Sequence, residues 1–198
     1  MLNLPNILTL VRILVIPFFV LVYYLPYEWG HLVAAIIFTL ACITDWLDGY
    51  LARSLKQATK FGAFLDPVAD KLMVSIALVM IVAQPQFQFV SASSTMFAIP
   101  GFMITIPAAI IVSREVIVSA LREWMAELGK RTSMVVSSIG KIKTAVQMLA
   151  LIVLIYCDAS THYLIIIIGY ILLYLAAFLT IWSMVIYLKT AWPEFRVQ

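Results

Sequence analysis

Long apolar runs alternate with short polar connections along this chain. A membrane helix needs about 20 mostly apolar residues, and six stretches approach or exceed that length: 7–25, 31–52, 67–83, 97–125, 139–157 and 163–188. The pattern predicts an all-α, polytopic membrane protein with six transmembrane helices. No repeat, low-complexity tract or linker interrupts it, so residues 1–198 read as a single domain. No basic segment precedes the first apolar run, and Arg12 lies inside it, so no cleavable signal peptide is expected.

Composition sharpens this reading. Of 198 residues, 64% are hydrophobic and only 12% are charged, and the mean hydropathy is +1.06. Such values exclude an ordinary soluble domain. The 13 Lys and Arg residues cluster at the N-terminus, around the second and fourth connections, and at the C-terminus. The first, third and fifth connections hold none. The positive-inside rule then places both termini, and everything near the second connection, on the cytoplasmic side. Six spans agree with both ends sharing a side. Cys42 and Cys157 are expected to be free thiols packed as small apolar groups. His31 and His162 fall in short loops on the opposite side and read as interfacial polar residues.

The informative polar positions lie where the second and third apolar runs meet. They read Asp45-x2-Asp48-Gly49-x2-Ala52-Arg53-x8-Gly62-x3-Asp66-x3-Asp70. Ionisable groups at membrane depth cost about 2.5–3.5 kcal/mol each, and four carboxylates repel one another unless cations or protons intervene. Asp45 and Asp48 share a helix face, and Gly49 and Ala52 leave that face open to a bulky ligand. Asp66 and Asp70, four apart, share a face of the next helix. Asp66 before Pro67 reads as an N-cap followed by a first-turn proline. Gly62 is expected to let the connecting loop approach a ligand closely. Carboxylates without His or Cys suit a hard cation such as Mg²⁺, Mn²⁺ or Ca²⁺. Four could hold two ions at the spacing used for phosphoryl displacement. Arg53 is placed to meet phosphate oxygens. Taken singly, Asp66 could be only a helix cap, and Lys56 and Lys60 headgroup anchors. Taken together, the fixed positions have no comparable structural explanation.

This spacing resembles the signature of the CDP-alcohol phosphotransferases and matches it at every fixed position. Three further stretches resemble the phosphatidylglycerophosphate-synthesising branch of that family in bacteria. They begin at Leu4-Pro5-Asn6, at Ser113-Arg114-Glu115 and at Gly140-Lys141-Ile142-Lys143. The resemblance implies a six-helix, usually dimeric membrane enzyme of the bacterial inner membrane. It implies a phosphatidyl group passing from CDP-diacylglycerol to sn-glycerol 3-phosphate, with release of CMP. It further implies that Asp45, Asp48, Asp66 and Asp70 hold divalent metal, Mg²⁺ or Mn²⁺, as two ions. Asp70 is also the general base, and Asp48, Gly49, Ala52, Arg53 and Gly62 contact the CDP-diacylglycerol donor. No nucleic-acid partner is implied.

The acceptor carries a phosphate dianion and needs fixed cations near the metals. Arg114, Arg122 and Lys141 stand at the cytoplasmic ends of the fourth and fifth runs and are expected to form that pocket. The competing reading pairs them with Glu115, Glu123 or Glu127, or with anionic headgroups. Another acceptor, inositol phosphate or serine, would keep the chemistry and change the pocket. A cation transporter is the reading from another class. It is disfavoured because the acids sit at one face, in one pair of segments, without related halves.

Overall fold

A computed structural model describes residues 4–54, 60–87, 100–128, 138–158 and 160–195. Within them stand six α-helices: α1 (Leu4–Tyr23), α2 (Gly30–Ser54), α3 (Lys60–Ala83), α4 (Phe102–Glu127), α5 (Ser138–Tyr156) and α6 (Tyr163–Phe195). A short 3₁₀ turn, Pro85–Phe87, follows α3. No strand occurs among the described residues.

Among the described residues, three helices are long and apolar enough to cross a membrane by themselves, over Asn6–Tyr23, Phe102–Glu127 and Tyr163–Trp192. Shorter apolar stretches, Gly30–Asp45 and Ile142–Tyr156, belong to α2 and α5. In α3 the apolar run is broken by Asp66, Asp70 and Lys71. Large apolar side chains face outward on every side, among them Leu14 (73% exposed), Val79 (66%) and Val116 (65%). Such a surface is a liability in water and suits a bilayer.

Helix α3 packs against three neighbours, α1, α4 and α5. The most extensive contacts join α5 to α6, α1 to α2 and α4 to α6. Helix α1 also packs on α3, α2 packs on α5, and α3 touches both α4 and α5. One apolar core runs through the bundle, with Phe19, Phe38, Leu78, Ile111 and Leu154 fully buried. Ala34, Ala35, Ala41, Ala77, Ala176 and Ala177 are buried in it. Such small residues let helices approach where lipid offers no hydrophobic drive to association. A smaller cluster, Val118, Leu121, Met125, Tyr187 and Ala191, fastens the C-terminal half of α4 to that of α6.

Local chemistry closes the connections. The Tyr170 hydroxyl donates to the Phe87 carbonyl at 2.6 Å and pins the 3₁₀ turn to α6. Between α5 and α6, Asp158 Oδ1 accepts from the Ser160 N–H and hydroxyl at 2.8 and 2.7 Å and from the Thr161 hydroxyl at 2.9 Å. Burial opposes that carboxylate's charge, but the donated hydrogen bonds outweigh it and hold the Asp158 carboxyl below its ordinary value. Cys42 and Cys157 are free thiols, Cys157 buried, as expected. His31 Nδ1 lies 3.2 Å from the Ile155 carbonyl, and its ring meets Tyr23 edge-on.

Gly169 marks a close approach of α5 and α6. A Cβ there would stand 2.6 Å from Leu154 Cδ2 and 2.9 Å from its Cγ. Gly169→Ala is therefore expected to destabilise the protein by about 1–3 kcal/mol. Combined with Leu154→Ala, the loss should fall short of the sum of the two single losses, because the cavity left at 154 accepts the new methyl. Thermal unfolding of the detergent-solubilised single and double variants checks this; strict additivity would contradict it.

Candidate active site

The motif divides between two helices. Residues 45–53 lie in the C-terminal part of α2, and Gly62, Asp66 and Asp70 lie in α3. Helix α3 starts at Lys60, seven residues before the expected 67, which corrects two readings. Asp66 is not an N-cap, because it sits inside α3, and Pro67 is likewise internal. Proline at that position leaves the carbonyl four residues earlier without its helical partner, yet the helix continues. Gly62 belongs to the first turn of α3, where it is buried, and not to the connecting loop.

Three of the four predicted acids converge. Asp45, Asp66 and Asp70 line one cavity of about 910 Å³, together with Lys71, Arg114, Glu115, Arg122 and Glu123. Two of the expected phosphate-pocket residues, Arg114 and Arg122, thus face the same space as the acids. A smaller cavity of about 230 Å³ shares Asp70, Lys71, Arg114, Glu115 and Arg122 and reaches α5 at Lys143, Thr144 and Gln147. The side chains of Asp48, Gly49, Ala52, Arg53 and Lys141 lie outside the described residues.

Helix α1 supplies partners that the motif does not contain. Arg12, 4% exposed, forms an ion pair with Asp45. The Thr9 hydroxyl donates to Asp66 Oδ1 at 2.7 Å. Both come from one face of α1, three residues apart, which is how one helix reaches α2 and α3 together. A lone arginine inside an apolar run was the available sequence signal, since burying it demands a counter-charge.

The basic wall is also tied down. Arg114 NH1 donates to Glu115 Oε1 at 2.9 Å and NH2 to Ser183 Oγ at 3.2 Å. Lys143 pairs with the same Glu115 oxygen. The competing reading of Arg114 as a partner of Glu115 is therefore partly realised, while Arg114 still lines both cavities. Arg122 NH2 donates to the Tyr187 hydroxyl at 3.1 Å. The Arg114 and Arg122 guanidinium carbons stand 5.7 and 5.3 Å from the Tyr187 ring centroid. The two cations thus share one aromatic ring, at cation–π distances. Lys71 donates to Ser119 Oγ and links α3 to α4. Thr9, Arg12, Lys143, Tyr187 and Ser183 were given no role from the sequence.

The donor chemistry suits a hard cation. The acids offer only carboxylate oxygens, and no His or Cys lines the larger cavity. Among the described residues no group of three or more His, Cys, Asp or Glu stands close enough together to hold an ion. Two of the three described aspartates are engaged by α1 instead, so an ion would compete with Arg12 for Asp45.

Comparison with known proteins identifies the family. Residues 2–182 match the CDP-alcohol phosphatidyltransferase family. A protein of Sodalis glossinidius is 52% identical over 190 residues, 96% of this chain and 95% of its own length. One of Yersinia enterocolitica is 50% identical over 193 residues, covering 98% and 97%. One of Pseudomonas fluorescens is 47% identical over 197 residues, covering 99% and 93%. Each of the three is named CDP-diacylglycerol–glycerol-3-phosphate 3-phosphatidyltransferase. With the match spanning nearly its whole length, the chain belongs to the CDP-alcohol phosphatidyltransferase family.

Proposed function

We propose that this protein transfers the phosphatidyl group of CDP-diacylglycerol to sn-glycerol 3-phosphate, giving phosphatidylglycerophosphate and CMP. The observation that carries this reading is one cavity bounded by Asp45, Asp66 and Asp70 on one wall and by Arg114 and Arg122 on the other. Acids suit the metal–pyrophosphate side of the reaction, and cations suit an acceptor that brings its own phosphate. Relatives of about half-identical sequence, named for this reaction, support the choice of acceptor.

Each residue then has a task. Asp70 takes the proton from the C1 hydroxyl of glycerol 3-phosphate. That oxygen forms a bond to the β-phosphorus of CDP-diacylglycerol, and the bond from that phosphorus to the bridging oxygen breaks. CMP leaves with the electron pair. Transfer is direct, since no nucleophilic Ser, Cys or His belongs to the motif. Asp45, Asp48, Asp66 and Asp70 are the residues that would hold Mg²⁺ or Mn²⁺, as two ions. Bound metal supplies charge neutralisation for the pyrophosphate and the departing CMP. Asp48, Gly49, Ala52, Arg53 and Gly62 receive the donor nucleotide. Arg114 and Arg122, with Lys141, hold the acceptor phosphate, and Tyr187 keeps the two guanidinium groups aligned. Arg12 offsets the charge of Asp45 and keeps its side chain turned toward the cavity. The protein works in the bacterial inner membrane, with both termini and the site on the cytoplasmic side, as a homodimer.

Three outcomes test this reading. Purified protein with Mg²⁺ or Mn²⁺ should release CMP from CDP-diacylglycerol when glycerol 3-phosphate is present, and not with serine or inositol phosphate. Asp70→Asn should lower that rate by about 10²–10⁴-fold. Release with one of the other acceptors would keep the chemistry and overturn the acceptor assignment. Arg122→Ala should raise KM for glycerol 3-phosphate by about 10- to 100-fold, the loss of a charge-assisted contact, with KM for CDP-diacylglycerol little changed. Equal rises in both KM values would remove Arg122 from the acceptor pocket.

A further inference from the structure

Gln147 is a polar side chain of the inner cavity that neither the motif nor the basic pocket uses. It lies on α5, one turn beyond Lys143 and further from the N-terminal end of that helix. It is 3% exposed and lines the 230 Å³ cavity together with Asp70, Glu115 and Lys143. Its Oε1 is buried without a hydrogen-bond partner. A buried acceptor left unmatched costs about 1–3 kcal/mol, and buried polar groups are nearly always paired. Neither neighbouring donor on α5 reaches it. Lys143 serves Glu115, and the Thr144 hydroxyl serves the Gly140 carbonyl at 3.0 Å. What Oε1 lacks is a donor arriving from the cavity, where Asp70 and the Arg114 and Arg122 guanidinium groups are neighbours.

We infer that Gln147 is a specificity-determining residue that accepts a hydrogen bond from the non-reacting C2 hydroxyl of the acceptor. This rests on the proposed glycerol 3-phosphate reaction and deepens it. The acceptor has three polar handles on three carbons. The C1 hydroxyl goes to Asp70 and the C3 phosphate to the basic wall. The C2 hydroxyl, between them, has no other assigned partner. A site that holds a hydroxyl with a buried group rejects the analogue lacking it far better than an apolar pocket can, because that group is then stranded.

The test compares glycerol 3-phosphate with 3-hydroxypropyl phosphate, the same acceptor without its C2 hydroxyl, in CMP-release assays of the full-length, metal-supplied enzyme. Wild-type protein should favour glycerol 3-phosphate in kcat/KM by about 10- to 100-fold or more. Gln147→Met keeps the length of the side chain and removes the acceptor oxygen, and should shrink that preference about tenfold. Gln147→Glu keeps an oxygen there and should retain most of it. Absence of preference in the wild type, which needs no variant, would overturn the inference. So would a Gln147→Met loss shared equally by both acceptors, the mark of a packing role or of a water on Oε1. Failure to release CMP with either acceptor in folded wild-type protein would instead bring down the proposed reaction itself.

Discussion

The structure depends on compensating charge where lipid cannot. Asp45 and Asp66 project from helices whose outer faces are apolar, and each is answered by a residue of α1, Arg12 or Thr9. Arg12 is almost wholly buried, while the Asp45 side chain is 42% exposed and opens on the cavity. The requirement also fixes helix placement. Helix α1 must lie against α2 and α3 at once, at a height that brings two residues on one of its faces to the two acidic positions. The apolar contacts of Phe19 and Phe38 hold it there at 5.9 Å between ring centroids.

The opposite wall follows the same rule with the signs exchanged. Arg114 and Lys143 are buried cations on α4 and α5, and Glu115 answers both. One carboxylate between two cations leaves that cluster positive, and Arg122 and Glu123 line the same cavity beside it. In a cavity proposed to receive a phosphate dianion, such a cluster would be a standing capacity for anions. Tyr187 keeps the arrangement from collapsing. It is anchored in the small apolar cluster between α4 and α6, so the packing of those helices sets the position of both guanidinium groups.

Much of this was legible in the sequence, and the illegible part has a physical pattern. Helical apolar runs and a spaced set of carboxylates are local properties, so α1, α2, α5 and the shared face of Asp66 and Asp70 could be read directly. The start of α3 could not. The Asp-Pro pair resembles a helix beginning, but helical propensity and packing against α1 carry the helix through Pro67 from Lys60. The pairing of Arg12 with Asp45 joins residues 33 apart on different helices, and that of Lys143 with Glu115 joins residues 28 apart. Spacing along a chain carries no signature for such contacts. The cost of a lone charge in an apolar run does predict that a partner exists, without saying which.

An amphiphilic donor sets a last condition on the site. Its nucleotide and pyrophosphate require water, metal and charge, while its acyl chains require hydrocarbon, and the two demands meet within one molecule. Arg114 stands where they can be met together. It lines the large polar cavity, and it also closes a groove of about 370 Å³ whose other walls are Ala109, Ile110, Ser113, Ile117, Ile181 and Met184. A guanidinium group tolerates this boundary better than an ammonium, because it is more weakly hydrated and can rest on an aromatic face while donating from its edge. Tyr187 supplies the face, and Glu115 and Ser183 take the edge. The residue that makes the cavity basic is thus also the one that marks where its polar surface ends and its apolar surface begins.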